Sequence, residues 1–293
     1  MKFLVTGSAG LVGQQVTSDL VKNNQEVFSC FHEEQPSFGN PIKLDLCNSE
    51  QIIETIQKVK PDVIIHLAAL TNVDLCETEK ELAYLLNAKS TEALAKQSAN
   101  LGAFFVYVST DYVFDGTKPL KKENDKPNPL GYYGKTKLDG EIFLNNLASS
   151  WAIARTSTPF GLHPKKKSFP VWIKENLESQ KQIKVLTDQF TSPTYVPNLS
   201  KMLIEVATKK ITGTINLAGA TRISRYDFAV MIAEKLNLDK SLLLKAESEE
   251  MSWKAKRPLD SSLDVSWANE ILEEKPQTIE ESLNLFIKKL TNQ

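Results

Sequence analysis

Through the first 155 residues, short apolar runs alternate with stretches in which apolar residues recur at helical spacing. Met1–Thr6, Glu26–Phe31, Ile42–Leu44, Asp62–Ala69, Ala103–Val108 and Trp151–Arg155 are rich in aliphatic, aromatic and β-branched residues, which predicts strands buried on both faces. Between them, helices are predicted from the glycine turn to about Val21, from Asn48 to Val59 and from Glu79 to Asn100, and another carries Tyr133. Asn48 with Gln51 has the spacing of an N-cap and its partner, and Pro61 stops the helix they open. In the 79–100 stretch Leu82, Leu85, Leu86, Leu94 and Ala95 form the apolar stripe, with the polar Asn87 among them. Regular strand and helix alternation predicts an α/β fold, a Rossmann-type doubly wound parallel sheet with right-handed crossovers.

After Arg155 the repetition ends. Pro159, Gly161 and Pro164 break the chain, Val171–Leu177 reads as helix, Ile183–Leu186 as strand and Ser192–Pro197 as extended. Pro197 then opens a helix to about Ala207, and Thr214–Leu217 forms a strand. Ser224 with Asp227 caps another helix, and Thr278 with Glu281 makes a capping box for the last one. This half predicts a smaller, mostly helical substrate-binding lobe woven from several segments. Residues 1–155 with about 191–219 would form the dinucleotide-binding domain, and about 156–190 with 220–293 the lobe, with the active site in the crevice between them.

Composition excludes several classes. A formal charge of −1 over 293 residues lacks the basic excess that a phosphate backbone needs, so nucleic acid is not an expected partner. Cys30, Cys47 and Cys76 and the three histidines (His32, His66, His163) lack metal-ligand spacing, which predicts a reducing cytoplasm and no metal. No window approaches the roughly 18 apolar residues of a membrane span. Lys165-Lys166-Lys167 reads as a solvated loop after Pro164 that could meet a phosphorylated ligand.

Candidate chemistry gathers at strand ends. The first strand runs into Gly7-Ser-Ala9-Gly10-Leu11-Val12-Gly13 and a helix, the context in which glycines cradle a pyrophosphate. After the second strand, His32 could meet a 2′-phosphate and Glu33 or Glu34 a 2′-hydroxyl, so the cofactor is NADPH or NADH, with modest discrimination expected. Asp45 and Leu46 after the third strand, and the small Ala68 and Ala69 after the fourth, are expected beside the same dinucleotide. The fifth strand ends near Ser109 and Thr110, where a ligand reaches an open parallel sheet. Tyr133 and Lys137, four apart, share one helical face, so the ammonium is expected to lower the phenol pKa from about 10 toward the working range.

These stretches together carry a resemblance. Thr6–Gly13, Leu67–Asp74, Ser109-Thr-Asp-Tyr-Val-Phe-Asp-Gly116, Tyr133–Lys137 with Gly140-Glu141, Arg155–Ser157, Ser192–Pro197 and Arg257-Pro-Leu-Asp-Ser-Ser-Leu263 resemble the extended short-chain dehydrogenases/reductases, and within them the dTDP-4-dehydrorhamnose reductase family. The resemblance implies NADPH- or NADH-dependent reduction of the C4 ketone of a nucleotide-linked 4-keto-6-deoxy sugar on the route to dTDP-L-rhamnose. It implies Tyr133 as general acid, Lys137 on the nicotinamide ribose and Thr110 on the keto oxygen. Arg257 would meet the substrate diphosphate, with Thr71, Val73 and Asp111 near the sugar nucleotide. A homodimer is a compatible assembly. Where that family commonly has a tryptophan after Arg155-Thr-Ser157, this chain has Thr158-Pro159-Phe160, which leaves the sugar open. The β subunit of methionine adenosyltransferase, a cofactor-binding regulatory partner, is similar to the same family, and sugar-nucleotide epimerases and dehydratases share the scaffold.

Overall fold

The computed structural model describes residues 1–291. Its strands in chain order are β1 (Lys2–Thr6), β2 (Glu26–Phe31), β3 (Asn40–Lys43), β4 (Val63–His66), β5 (Phe104–Thr110), β6 (Trp151–Thr156), β7 (Pro159–Phe160), β8 (Ile183–Leu186), β9 (Phe190–Thr191), β10 (Thr194–Tyr195), β11 (Gly213–Asn216), β12 (Ile223–Ser224) and β13 (Leu243–Ala246). The α-helices are α1 (Leu11–Lys22), α2 (Ser49–Val59), α3 (Val73–Thr78), α4 (Lys80–Tyr84), α5 (Ser90–Leu101), α6 (Tyr132–Leu147), α7 (Phe169–Glu178), α8 (Val196–Lys209), α9 (Arg225–Lys235), α10 (Ser266–Ile271) and α11 (Ile279–Thr291).

Seven strands make one sheet in the order β11-β6-β5-β4-β1-β2-β3, every pair parallel. The order reverses at the β1/β4 neighbours, the place where a doubly wound sheet opens a ligand crevice. One face is covered by α1 and α8, with Phe3, Val5, Val16, Leu20, Met202 and Leu203 buried there, and the other by α2, α5 and α6, with Leu4, Ile52, Ile64, Phe105, Tyr107 and Leu144. Burial on both faces is why these strands are apolar at nearly every position.

A second core holds the rest together: Phe160, Ile173, Leu177, Val185, Phe228, Ile232, Leu283 and Phe286, supplied by α7, α9, α11 and the short strand pairs. Two placements depart from the expected segment boundaries. Tyr195 packs in this second core, whereas Ala268 and Leu272, in and just after α10, pack under the large sheet, because α10 lies against its edge strand β11.

Local departures have physical causes. The helix expected over 79–100 is broken into α4, a π-helical turn at Leu85–Lys89 and α5. The wide turn accommodates Asn87, which is fully buried; its carboxamide accepts from the Leu70 amide at 2.8 Å and donates to Thr136 Oγ1 at 3.0 Å. A polar residue on the apolar stripe is thus paid for by cross-linking the Leu70 loop to α6. β4 stops at His66, short of the expected Ala69, and the chain turns out toward α3.

Candidate active site

The glycine turn is built by steric necessity. Gly7 has φ +67°, and a Cβ there would stand 2.7 Å from the Ala68 amide nitrogen. Only glycine fits both the left-handed backbone and the approach of the β4 loop. A Cβ at Gly13 would collide with the Gly7 carbonyl, so that glycine lets α1 pack onto the turn. Gly10 is the N-cap of α1; no side chain caps it and the first turn has no acid. Its missing Cβ would approach only Gly7 O at 3.1 Å and Lys166 Nζ at 3.8 Å. Free first-turn amides on Leu11, Val12 and Gly13, the positive end of the helix dipole and a nearby ammonium fit a pyrophosphate.

The remaining cofactor candidates are placed unevenly. Ala68 and Ala69 lie half-buried beside the turn, with the Ala68 amide donating to Thr6 Oγ1 at 3.2 Å. Ala9 is held through its carbonyl by His163. Leu46 lines a cavity of about 410 Å³ between α2 and α5, together with Cys47, Ile52 and Ala93. Asp45 is partly committed to its own turn, accepting from the Cys47 amide at 2.9 Å. His32 is exposed, and the cavity after β2 is lined by Glu33, Glu34 and Ser37 and not by His32.

Sheet register brings the reactive groups together. His66 on β4 pairs with Tyr107 on β5, and β5 continues through Ser109 to Thr110. α6 packs closely over this strand end, since a Cβ at Gly134 would collide with the Tyr112 carbonyl and one at Gly140 with the Tyr107 hydroxyl. Tyr133 is half-buried with its ring edge-on to Tyr112, 6.0 Å between centroids. Tyr132 faces elsewhere, with Lys80 5.4 Å above its ring and its amide donating to Glu77.

Lys137 is buried, its ammonium 4.0 Å from the centre of the Tyr107 ring. Burial lowers its pKa to about 7, with Glu141 acting in the opposite direction. Glu141 is clamped in turn, accepting from Arg155 Nη2 at 2.7 Å, Arg155 Nε at 3.0 Å and Ser109 Oγ at 2.6 Å. The expected lowering of the phenol is reversed. Burial pushes Tyr133 well above the ordinary tyrosine value, Thr110 hydrogen bonding only partly offsets it, and the nearby Asp111 carboxylate adds to the rise. At neutral pH this phenol is a firmly protonated acid.

Asp111 takes a different place from the one expected of a ligand contact. It is buried and accepts from Thr110 Oγ1 at 2.9 Å and Ser157 Oγ at 2.7 Å, so it fixes those hydroxyls from behind. Thr71 is exposed and Val73 half-buried at the start of α3. Their neighbour Asp74 makes the long-range link, accepting from Arg257 Nη2 at 3.0 Å. Arg257 also lies 3.9 Å from the Trp253 ring centre, and its Nη1 is buried with no hydrogen-bond partner among the described residues. Arg225, at the first turn of α9, has its pKa lowered by burial, with Tyr112 and Asp111 opposing and the Arg257 charge adding to the fall, and its Nε donates to Gln189 Oε1 at 3.3 Å. Its only sequence signal was the Ser224 N-cap beside it; the Ser224 hydroxyl accepts from the Asp227 amide at 3.0 Å. Among the described residues there is no cluster of His, Cys, Asp and Glu able to hold a metal, and no helix long and apolar enough to cross a membrane.

Sheet order, glycine turn and the Tyr133/Lys137 pair define a Rossmann-type nucleotide-binding α/β protein. The chain belongs to the family described as "RmlD substrate binding domain", whose pattern matches residues 1–292. It is 33% identical over 278 residues to dTDP-4-dehydrorhamnose reductase of Aggregatibacter actinomycetemcomitans, covering 90% of this chain and 91% of that one. It is 34% identical over 271 residues to methionine adenosyltransferase 2 subunit beta of Xenopus tropicalis, covering 90% and 80%. The solved structure of dTDP-4-dehydrorhamnose reductase from Bacillus anthracis in complex with NADP superposes with a TM-score of 0.89 at 31% identity, covering 99% of this chain and all of that one.

Proposed function

We propose that the protein is an NAD(P)H-dependent reductase acting on the C4 ketone of a nucleotide-linked 4-keto-6-deoxy sugar, as the dTDP-4-dehydrorhamnose reductases it resembles do by name. One observation supports the reading: Thr110 ends β5 and hydrogen-bonds the Tyr133 phenol, with Lys137 one turn further along α6, in the sheet whose glycine turn fits a dinucleotide pyrophosphate. A bound nicotinamide dinucleotide would supply the hydride. Gly7, Gly10 and Gly13 with the first turn of α1 would hold its phosphates, and Lys137 its ribose. As charge develops on the keto oxygen, Tyr133 donates its proton there and Thr110 holds the oxygen in line. Lys137 then stabilises the phenolate left on Tyr133. Arg257, with an unpartnered guanidinium nitrogen, and Arg225 beside it suit the substrate diphosphate, where bidentate, charge-assisted hydrogen bonds are strong. The reading carries with it a cytoplasmic place in nucleotide-sugar and polysaccharide synthesis.

The test is direct: the purified chain, mixed with a dTDP-4-keto-6-deoxy sugar, should consume NADPH, seen as loss of its absorbance, and Tyr133→Phe should do so far more slowly. Identity to the methionine adenosyltransferase β subunits supports a second reading, a cofactor-binding regulatory subunit. Dinucleotide binding without turnover of any 4-keto sugar nucleotide would move that reading ahead.

A further inference from the structure

The loop between β7 and α7 leaves the second lobe and lies across the glycine turn. His163 anchors it. The His163 Nε2 donates to the Ala9 carbonyl at 3.1 Å, and Nδ1 accepts from the amides of Lys165 at 3.1 Å and Lys166 at 2.9 Å. A carbonyl can only accept and an amide only donate, so these bonds fix the neutral ring with its proton on Nε2. The anchored loop delivers two ammonium groups to different places. Lys166 Nζ stands 3.8 Å from where a Cβ on Gly10 would be. Lys165 Nζ reaches the loop after β2 and pairs with Glu34 Oε1 at 3.0 Å. Lys165 also lines a cavity of about 410 Å³ together with Ala9, Gln14, Glu33, Glu34 and Pro36.

Glu33 and Glu34 sit about 20 residues beyond the glycines, where an acid in this fold meets a ribose 2′-hydroxyl. An acid alone there would reject a 2′-phosphate. Here one of the two acids, Glu34, is already paired from the opposite lobe, and the pair is exposed, 67% for Lys165 and 43% for Glu34, so exchanging Glu34 for a ligand anion costs little. A phosphate monoester carries about −1.5 to −2 charge at pH 7, more than the carboxylate it would displace.

Resting on the proposed dinucleotide reading, we infer that Lys165 is the specificity residue that admits a 2′-phosphate, with Glu34 as its resting partner, while Lys166 serves the pyrophosphate common to both cofactors. The cation that β2 lacks is supplied by a segment more than a hundred residues away in sequence.

Fluorescence titration of the whole chain with NADPH and with NADH separates the roles. Lys165→Ala should weaken NADPH roughly tenfold or more, the worth of one hydrogen bond to a charged group, with NADH within about twofold of parent on the same scale. Lys165→Arg should restore NADPH binding, and Lys166→Ala should weaken both cofactors alike. Equal loss of both cofactors in Lys165→Ala would make Lys165 a loop anchor only and overturn the inference, as would no loss at all. Both outcomes would leave the dinucleotide reading intact. A parent chain that binds neither dinucleotide would overturn that reading and this inference with it.

Discussion

The end of β5 and the late arginines hold their cations by different means. Around Lys137 the charge is buried under a sheet, faces an aromatic ring and has its nearest carboxylate, Glu141, already bound to Arg155. Around Arg257 the charge is held by an ion pair to Asp74, a residue 183 positions earlier, with side chains 16% and 33% exposed. Desolvation governs the first region, raising the phenol and lowering the amine; pairing governs the second, where hydrogen bonds from the Ala255 amide and the Arg257 charge hold Asp74 below the usual carboxylate range. Proton chemistry belongs where burial sets the pKa values of a phenol and an amine, and anion capture where a guanidinium nitrogen is spare.

Removing only the Tyr133 hydroxyl would break the comparison most sharply. Tyr133→Phe should lower the reduction rate by roughly 10²- to 10⁴-fold, the usual contribution of general acid catalysis, with cofactor affinity retained. Tyr132→Phe, on the side facing Glu77 and Lys80, should be mild by comparison. A parent-like rate in Tyr133→Phe would move the proton donor elsewhere.

Next in size comes stability. Glu141→Gln leaves Arg155 buried without its counter-charge and should cost about 3–5 kcal/mol in denaturant unfolding. Asp74→Asn, at a partly exposed pair, should cost at most about 1 kcal/mol. Equal losses would erase the distinction between the two regions.

For Arg257→Ala the expected change is a KM for the sugar nucleotide raised roughly 10- to 100-fold, as loss of a charge-assisted contact of about 1.5–3 kcal/mol implies, with dinucleotide affinity unchanged. The reverse pattern would detach this segment from the substrate.

The last effect is one of pH, and it is modest per pH unit. Lys137 has a folded pKa of about 7, below its ordinary value of 10.5. Between those values the unfolded chain binds more protons than the folded one, so this residue makes stability rise with pH there, by at most about 1.4 kcal/mol per pH unit. In Lys137→Met that rise should disappear from unfolding curves taken between pH 7 and about 8.5, above which the thiols of Cys30 and Cys76, raised by burial, titrate in the unfolded chain and work in the opposite direction; an unchanged slope would mean that the amine is solvated.

What the sequence alone determined was local. Apolar runs specified the strands, helical spacing the helices, and capping residues such as Asn48, Ser224 and Thr278 their starts, because each depends on groups a few residues apart. The same locality made Gly7–Gly13 and the Tyr133/Lys137 turn legible. Tertiary structure decided everything carried by distant contacts: that β11 joins β6 and α10 returns to the large sheet, that Asn87 opens a π turn to reach Leu70, and that Asp111 stands behind Thr110. It also set the electrostatics. Spacing predicts that Lys137 lowers the Tyr133 pKa, but in the fold the Lys137 ammonium lies over the Tyr107 ring, and burial raises the phenol and lowers the amine.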